Sequence, residues 1–264
     1  MYPEFLNKDY TVSTEFIYLA IVLAVFVFGR YLILSGLYQK LIYDRLSKVL
    51  SNRIISPKYP RDQQIREIMW SGIGSIIFGL MGVVMIMGWQ KGYTQIYSDF
   101  STYPLWYLPI SLVVGMVLHE TYYYWLHRWM HHSRGIYKLI HKVHHDSVST
   151  SVWTSFSFHP LESLLQAIII PVIIMIIPMH WVVLLVWLIL MTLSAIINHA
   201  GVEIFPKAWR DNAVMKWLIG STHHDIHHRR FTKNFGLYFT FWDIWMGTES
   251  HEFDQRWNKA TAKA

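Results

Sequence analysis

Long apolar stretches constrain this chain before anything else does. One runs from Phe16 to about Leu37, a second from Ile68 to Trp89, and a third from about Leu105 to Leu126. A fourth, from Leu161 to Asn198, is interrupted by Pro171 and by Pro178-Met179-His180. An apolar helix crosses the hydrocarbon core of a bilayer in about 20 residues. Backbone polar groups find no water there, so such stretches must be helices that satisfy their own hydrogen bonds. The interrupted stretch reads as a hairpin of two slightly short arms that returns the chain to its starting side. With 53% hydrophobic and only 15% charged residues, the chain suits a membrane better than a soluble core. The expected fold is an all-α integral membrane protein with a four-crossing transmembrane helical stalk, the hairpin counted as one of the four. Glycines at 72, 74, 79 and 82 in the second span predict close helix approach.

Charge supplies the orientation. The net charge is +6, and a basic chain invites a nucleic-acid reading. The basic residues instead lie beside the apolar spans. Lys40, Arg45, Lys48, Arg53, Lys58, Arg61 and Arg66 follow the first span, and Arg128, Arg134, Lys138 and Lys142 follow the third. The loop over 90–103 carries one basic residue, Lys91. Cytoplasmic loops are enriched in Lys and Arg, so the pattern predicts an outside N-terminus and residues 38–67, 127–160 and 199–264 inside, with no nucleic-acid partner. Residues 38–67 read as an interfacial amphipathic segment with a turn at Ser56-Pro57 and Tyr59-Pro60. Arg30, inside the first span, either snorkels to an interface or faces the bundle. No cleavable signal peptide is evident. There is no cysteine, which excludes disulfides, thiolate metal sites and iron–sulfur clusters. It also favours a bacterial inner membrane over an endoplasmic-reticulum membrane. With no repeat and no internal boundary, residues 1–264 read as a single membrane-embedded domain.

Fifteen histidines occur in 264 residues, and most crowd into two segments at the inner mouths of the spans. His127 and His131 stand four apart. His141, His144 and His145 have the spacing HxxHH, which His224, His227 and His228 repeat. On a helix, positions i, i+3 and i+4 share one face, so each box should aim its imidazoles in one direction. Neutral imidazole binds Fe, Zn, Cu or Ni. Eight rings exceed what one ion holds, so two ions fit better. Gly135 reads as a break between helical boxes. His180 and His251 read as interfacial or surface residues. Two divalent ions among neutral ligands call for nearby carboxylates. Glu120, Asp146, Glu162, Asp225 and Asp243 lie near the boxes in sequence, and Asp225 and Asp243 are favoured to hydrogen-bond to the ligands. His159, before a proline and outside any helical pattern, is assigned a supporting role rather than direct ligation.

The segments YYWLHRWMHH, HKVHHDS, SFHPLE, NHAG, STHHDIHH and NFGLYFTFWDIWMGT resemble, in order and spacing, the fatty acid hydroxylase / sterol desaturase superfamily of integral-membrane oxygenases. SFHPLE and NHAG look closer to the sterol-desaturase-like branch. The resemblance covers about residues 105–250, leaving 1–104 as N-terminal spans and basic loop. It implies a helical stalk under a cytosolic cap, with a dimetal site between them. It carries the three boxes onto His127 and His131, onto His141, His144 and His145, and onto His224, His227 and His228. Additional histidines in relatives match His199 and His223. The resemblance implies no catalytic residue apart from the metal ligands. The cofactors it implies are two Fe ions and O2, with zinc a substitute in purified material.

The expected activity is hydroxylation or desaturation of a lipid C–H bond, the lipid entering from the bilayer. No fused haem domain is evident, so the expected electron donor is a separate cytochrome or a ferredoxin/reductase. Two other readings stay open on the residues alone. One is a zinc-dependent membrane hydrolase or lyase, since zinc activates water. The other is a metal transport or storage protein, although its ligands should then lie near mid-membrane.

Overall fold

The computed structural model describes residues 8–46, 48–56 and 59–262. Pro57 and Lys58, named above in the basic loop, and the first seven residues lie outside that set. Helices α1 (Ser13–Tyr38) and α2 (Arg61–Gln90) form an antiparallel pair, and α1 runs on through a wider i→i+5 turn over Gln39–Arg45. A Cβ at Gly79 would sit 2.7 Å from Ala24 N and 2.9 Å from its Cα, so the two backbones touch here and only glycine fits. Ile17, Ile21, Val25 and Ile33 remain exposed along α1, as on a surface solvated by lipid tails. Both helices outrun the apolar runs read from sequence. The helix of α2 begins at Arg61, so 61–67 belong to it rather than to the loop.

The chain returns through α3 (Tyr107–Met130). The first hairpin arm is broken into α6 (Pro160–Ala167) and α7 (Ile169–Ile176). Pro171 has no N–H for the Ala167 carbonyl, which places the break at Ile168. The second arm is α8 (Trp181–His199). Met179 and His180 pair in parallel with Ile96 and Tyr97, tying the hairpin tip to the α2–α3 loop at the end opposite the histidine boxes. His180 is buried there rather than at the surface; its Nε2 lies 3.0 Å from Ser98 O and its ring stacks on Phe100 at 4.0 Å. His251 is exposed. Among the described residues, three helices, Ser13–Arg45, α2 and α8, are long and apolar enough to cross a membrane, with Pro160–Ile176 a shorter apolar helix. The fold is an all-α membrane protein.

The remaining residues form a helical cap: α4 (Arg134–Ile136), an i→i+5 segment (Tyr137–His141), α5 (Lys142–His145), a 3-10 turn (Val152–Phe156), α9 (Ser221–Arg230), α10 (Phe241–Trp245) and α11 (Phe253–Ala260). The break after α3 falls at 131–133, where Ser133 caps α4, while Gly135 is helical. A serine side chain can take an orphan helix N–H and end the preceding segment, so the serine and not the glycine punctuates here. Tyr31, Trp153, Phe156, Phe158 and Ile196 join cap to bundle in one core. Buried Glu67 of α2 accepts from Gln63, Ser151 and Thr154 and pins the 3-10 turn to the bundle. Phe253 and Trp257 of α11 cover Ile226 of α9.

Candidate metal centre

Helix α9 poses the central physical question. Its first eight residues, Ser221 to His228, are all buried, yet only Ile226 among them is apolar. Burying polar groups without partners is costly, so a segment like this needs something to bind. It packs against α8 and faces α3 and α5, and the histidines of all four helices converge.

Nine of them fall into two groups that could each hold a metal ion. His127, His131, His141, His145 and His227 form one; His144, His199, His224 and His228 form the other. Within each group the ligand nitrogens lie within 4.8 Å of one another. The boxes do not each point one way. His141 and His145, four apart, enter the first group while His144 enters the second; in α9 His224 and His228 enter the second while His227 enters the first. Relative to residue i, i+4 is rotated by roughly 40° one way and i+3 by roughly 60° the other. That difference is enough to hand the middle ring to the neighbouring group.

Hydrogen bonds on the outer nitrogens fix which nitrogen faces inward. His127 Nδ1 is 2.8 Å from Phe235 O, His144 Nδ1 is 3.3 Å from Ser157 O, His199 Nδ1 is 2.7 Å from Ala195 O and His227 Nδ1 is 2.7 Å from Lys233 O. A carbonyl only accepts, so each of these Nδ1 atoms carries the ring's proton and each Nε2 presents a lone pair. The Nε2 atoms of His144 and His199 are 3.1 Å apart. Two bare lone pairs that close repel unless a cation lies against both, so the donor set fits a metal. His141 Nδ1 lies 2.8 Å from Glu162 Oε1, and Gln166 donates to the same oxygen at 2.9 Å. Burial holds the imidazoles of His141, His144, His145, His224, His227 and His228 well below the usual histidine range, and neighbouring rings push the same way. They are neutral, the form that binds metals.

His223 stands outside both groups. It is adjacent to His224 and so points about 100° away; its Nε2 is 3.8 Å from Asp243 Oδ2 and its ring meets Phe253 edge-on. Asp243 accepts from the N–H groups of Phe235 and Gly236, and Glu120 from those of Leu237, Tyr238 and Phe239. Two buried carboxylates thus hold five consecutive backbone donors, shaping the loop whose Phe235 carbonyl orients His127. Asp225 accepts from Ser56, Arg229 and Arg256, and no histidine contacts it among the described residues. His159 caps α6 and lies against Trp70. The carboxylate on a grouped histidine is Glu162, one of the five acids near the boxes.

An apolar cavity of about 780 Å³ lies beneath the groups. His119, Tyr123, His199 and Leu237 line it at the metal-centre end, and Trp89, Tyr97 and Trp181 line it towards the hairpin tip. His119 Nδ1 is 2.9 Å from the Tyr238 hydroxyl.

The family model for fatty acid hydroxylase matches residues 112–248. The chain belongs to this family. Three of its relatives are enzymes named for sterols. The Delta(7)-sterol 5(6)-desaturase of Gibberella zeae is 27% identical over 218 residues, covering 83% of this chain and 64% of the relative. Human lathosterol oxidase is 31% identical over 189 residues, covering 71% and 61%. Rat methylsterol monooxygenase 1 is 32% identical over 206 residues, covering 75% and 69%. The chain therefore spans less than two thirds of the length of the first two. No solved structure matches it. The family match takes in all nine grouped histidines, the chain from within α3 to the end of α10 and part of the cavity wall, but neither α1 nor α2.

Proposed function

We propose that this family member is an O2-dependent membrane oxidoreductase that hydroxylates or desaturates a lipid C–H bond with two iron ions. The observation that carries the reading is the placement of two all-imidazole groups at the end of a deep apolar cavity. His127, His131, His141, His145 and His227 would hold one ion, and His144, His199, His224 and His228 the other. Bound there, two irons supply the redox chemistry that reduces O2 and attacks an unactivated C–H bond.

The chain's own residues do the rest. The apolar walls take a lipid directly from the bilayer and exclude water from the reacting carbon. His199 lines both the cavity and the second group, so a chain lying in the cavity meets the metals at α8. Phe235 O, Ser157 O, Ala195 O and Lys233 O hold the Nδ1 protons outward and keep each Nε2 free as a donor. Glu162 offsets part of the positive charge of the ions through His141.

The electron donor in this reading is a separate protein of cytochrome or ferredoxin/reductase type; with no cysteine in these residues, they hold no iron–sulfur cluster of their own. The basic loops on the cap side support a centre at the cytoplasmic face of the membrane, a bacterial inner membrane or an endoplasmic-reticulum membrane. Lipid mass spectrometry of cells with the intact gene and with His144→Ala tests the reading. A lipid gaining one oxygen, or losing two hydrogens, only with the intact gene is expected. A hydrolysed lipid with no O2 consumption would replace it by zinc-type hydrolysis.

A further inference from the structure

Arg30 sits in the middle of α1, inside a candidate membrane span. A guanidinium at this depth is costly and calls for a partner. Its side chain lines the apolar cavity. Its Nε is buried with no hydrogen-bond partner among the described residues, and no acidic side chain lies near enough to act on it. It is also the one charged residue of the cavity lining among the described residues. The next residue, Tyr31, donates to Trp153 O and packs at 5.6 Å on Phe156. Phe156 and Ser155 line the cavity too, and Ala195 and His199 form the wall of α8 at the same core. Arg30 therefore belongs to the metal-centre end of the cavity rather than to the hairpin-tip end.

We infer that Arg30 is the anchor for a substrate carboxylate, and that the substrate is a monoanionic amphiphile with a carboxylate on a long apolar body. The inference rests on the reading of the cavity as the lipid site. One unpaired cation in a low-dielectric cavity is matched by one negative charge. A planar guanidinium suits a carboxylate in particular, because two parallel N–H donors meet its two oxygens. A neutral hydroxyl, as on a sterol, would leave the charge uncompensated. A phosphate with up to two negative charges would need more than the single cation present. Anchoring at Arg30 turns the oxygen-bearing end of the amphiphile towards the metal end and leaves its tail towards Trp89 and Trp181.

The test is binding, which does not depend on turnover. Tritiated octadecanoate is bound to the purified full chain in nanodiscs and displaced by unlabelled octadecanoate, 1-octadecanol, octadecyl phosphate or a 3-hydroxysterol. The carboxylate should displace the probe at roughly tenfold or lower concentration than the alcohol, as one charge-assisted pair implies. Arg30→Gln should abolish that preference and Arg30→Lys should restore part of it, with metal content unchanged in both. Equal displacement by the alcohol, a preference for the phosphate or the sterol, absence of octadecanoate binding, or a preference that survives Arg30→Gln would each overturn the assignment. Metal-stripped protein should show the same preference, so the result stands or falls separately from the oxidation chemistry.

Discussion

Glu162 offers the sharpest test of how the centre is held. Its carboxylate is fully buried and lies 2.8 Å from His141 Nδ1. Glu162→Gln leaves an amide oxygen able to accept the same proton but removes the negative charge, while Glu162→Leu removes the acceptor as well. Losing the group that orients a ligating histidine costs about 10- to 100-fold in metal affinity, or about 1.4 to 2.7 kcal/mol. We expect Glu162→Gln near the lower end and Glu162→Leu near the upper. Because His141 belongs to the five-histidine group, only one of the two ions should weaken. Removing one partner of a buried hydrogen-bonded pair leaves the other unsatisfied and lowers stability, so melting of the metal-free protein checks that the chain stays folded. Competitive titration against a chromophoric chelator, with metal counted by plasma mass spectrometry, reads both affinities. Equal weakening of both ions, or of neither, in a folded variant would refute the assignment of Glu162 to a single ion.

Four other outcomes follow from the same geometry. Alanine at His127, His131, His141, His145 or His227 should weaken one ion, and at His144, His199, His224 or His228 the other; metal counts that fall together across all nine would deny two separable groups. His223→Leu and His180→Leu should keep both ions, and metal loss in either would place that ring among the ligands. Burial lowers His223 to about 3 from 6.5, so its contribution to stability is full above pH about 6.5 and drains away as pH falls towards 3. The buried box histidines shift the same way, and metal-free protein should melt progressively lower as the buffer goes from pH 7 to 5; a flat profile would contradict this. Single cysteines at Ser51 and Ala213 should label from one side of the membrane and at Lys91 from the other, and any other pattern breaks the orientation.

Much of this was legible because period and spacing carry it. The apolar runs located the helices of the bundle, and the break at Pro171 followed from a missing N–H. Helix ends were misjudged wherever polar residues continue a helix past the apolar run, as Arg61–Glu67 do at the start of α2. Box spacing located the ligands but not their division, since a shared face says nothing about which of two ions a ring meets. Glu162 is one of five acids near the boxes, and nothing in sequence ranks it first: it reaches His141 across 21 positions, through the packing of α6 against the boxes. Asp225 and Asp243, nearer in sequence, are engaged by arginines and by backbone donors. The cavity was invisible for the same reason, because its wall draws on α1, α2, α3 and the hairpin together.

The uneven division of the boxes has a consequence for how the protein is made. Four of the five members of the first group come from residues 127–145, one continuous stretch. The second group draws one histidine from α5, one from the end of α8 and two from α9. A nascent chain thus owns four of the five rings of its first group before the hairpin has been synthesised, but only His144 of its second until the last quarter of the sequence has emerged and folded back. Maturation is ordered by topology: the first ion can be captured early, and the second is a signature of the finished molecule.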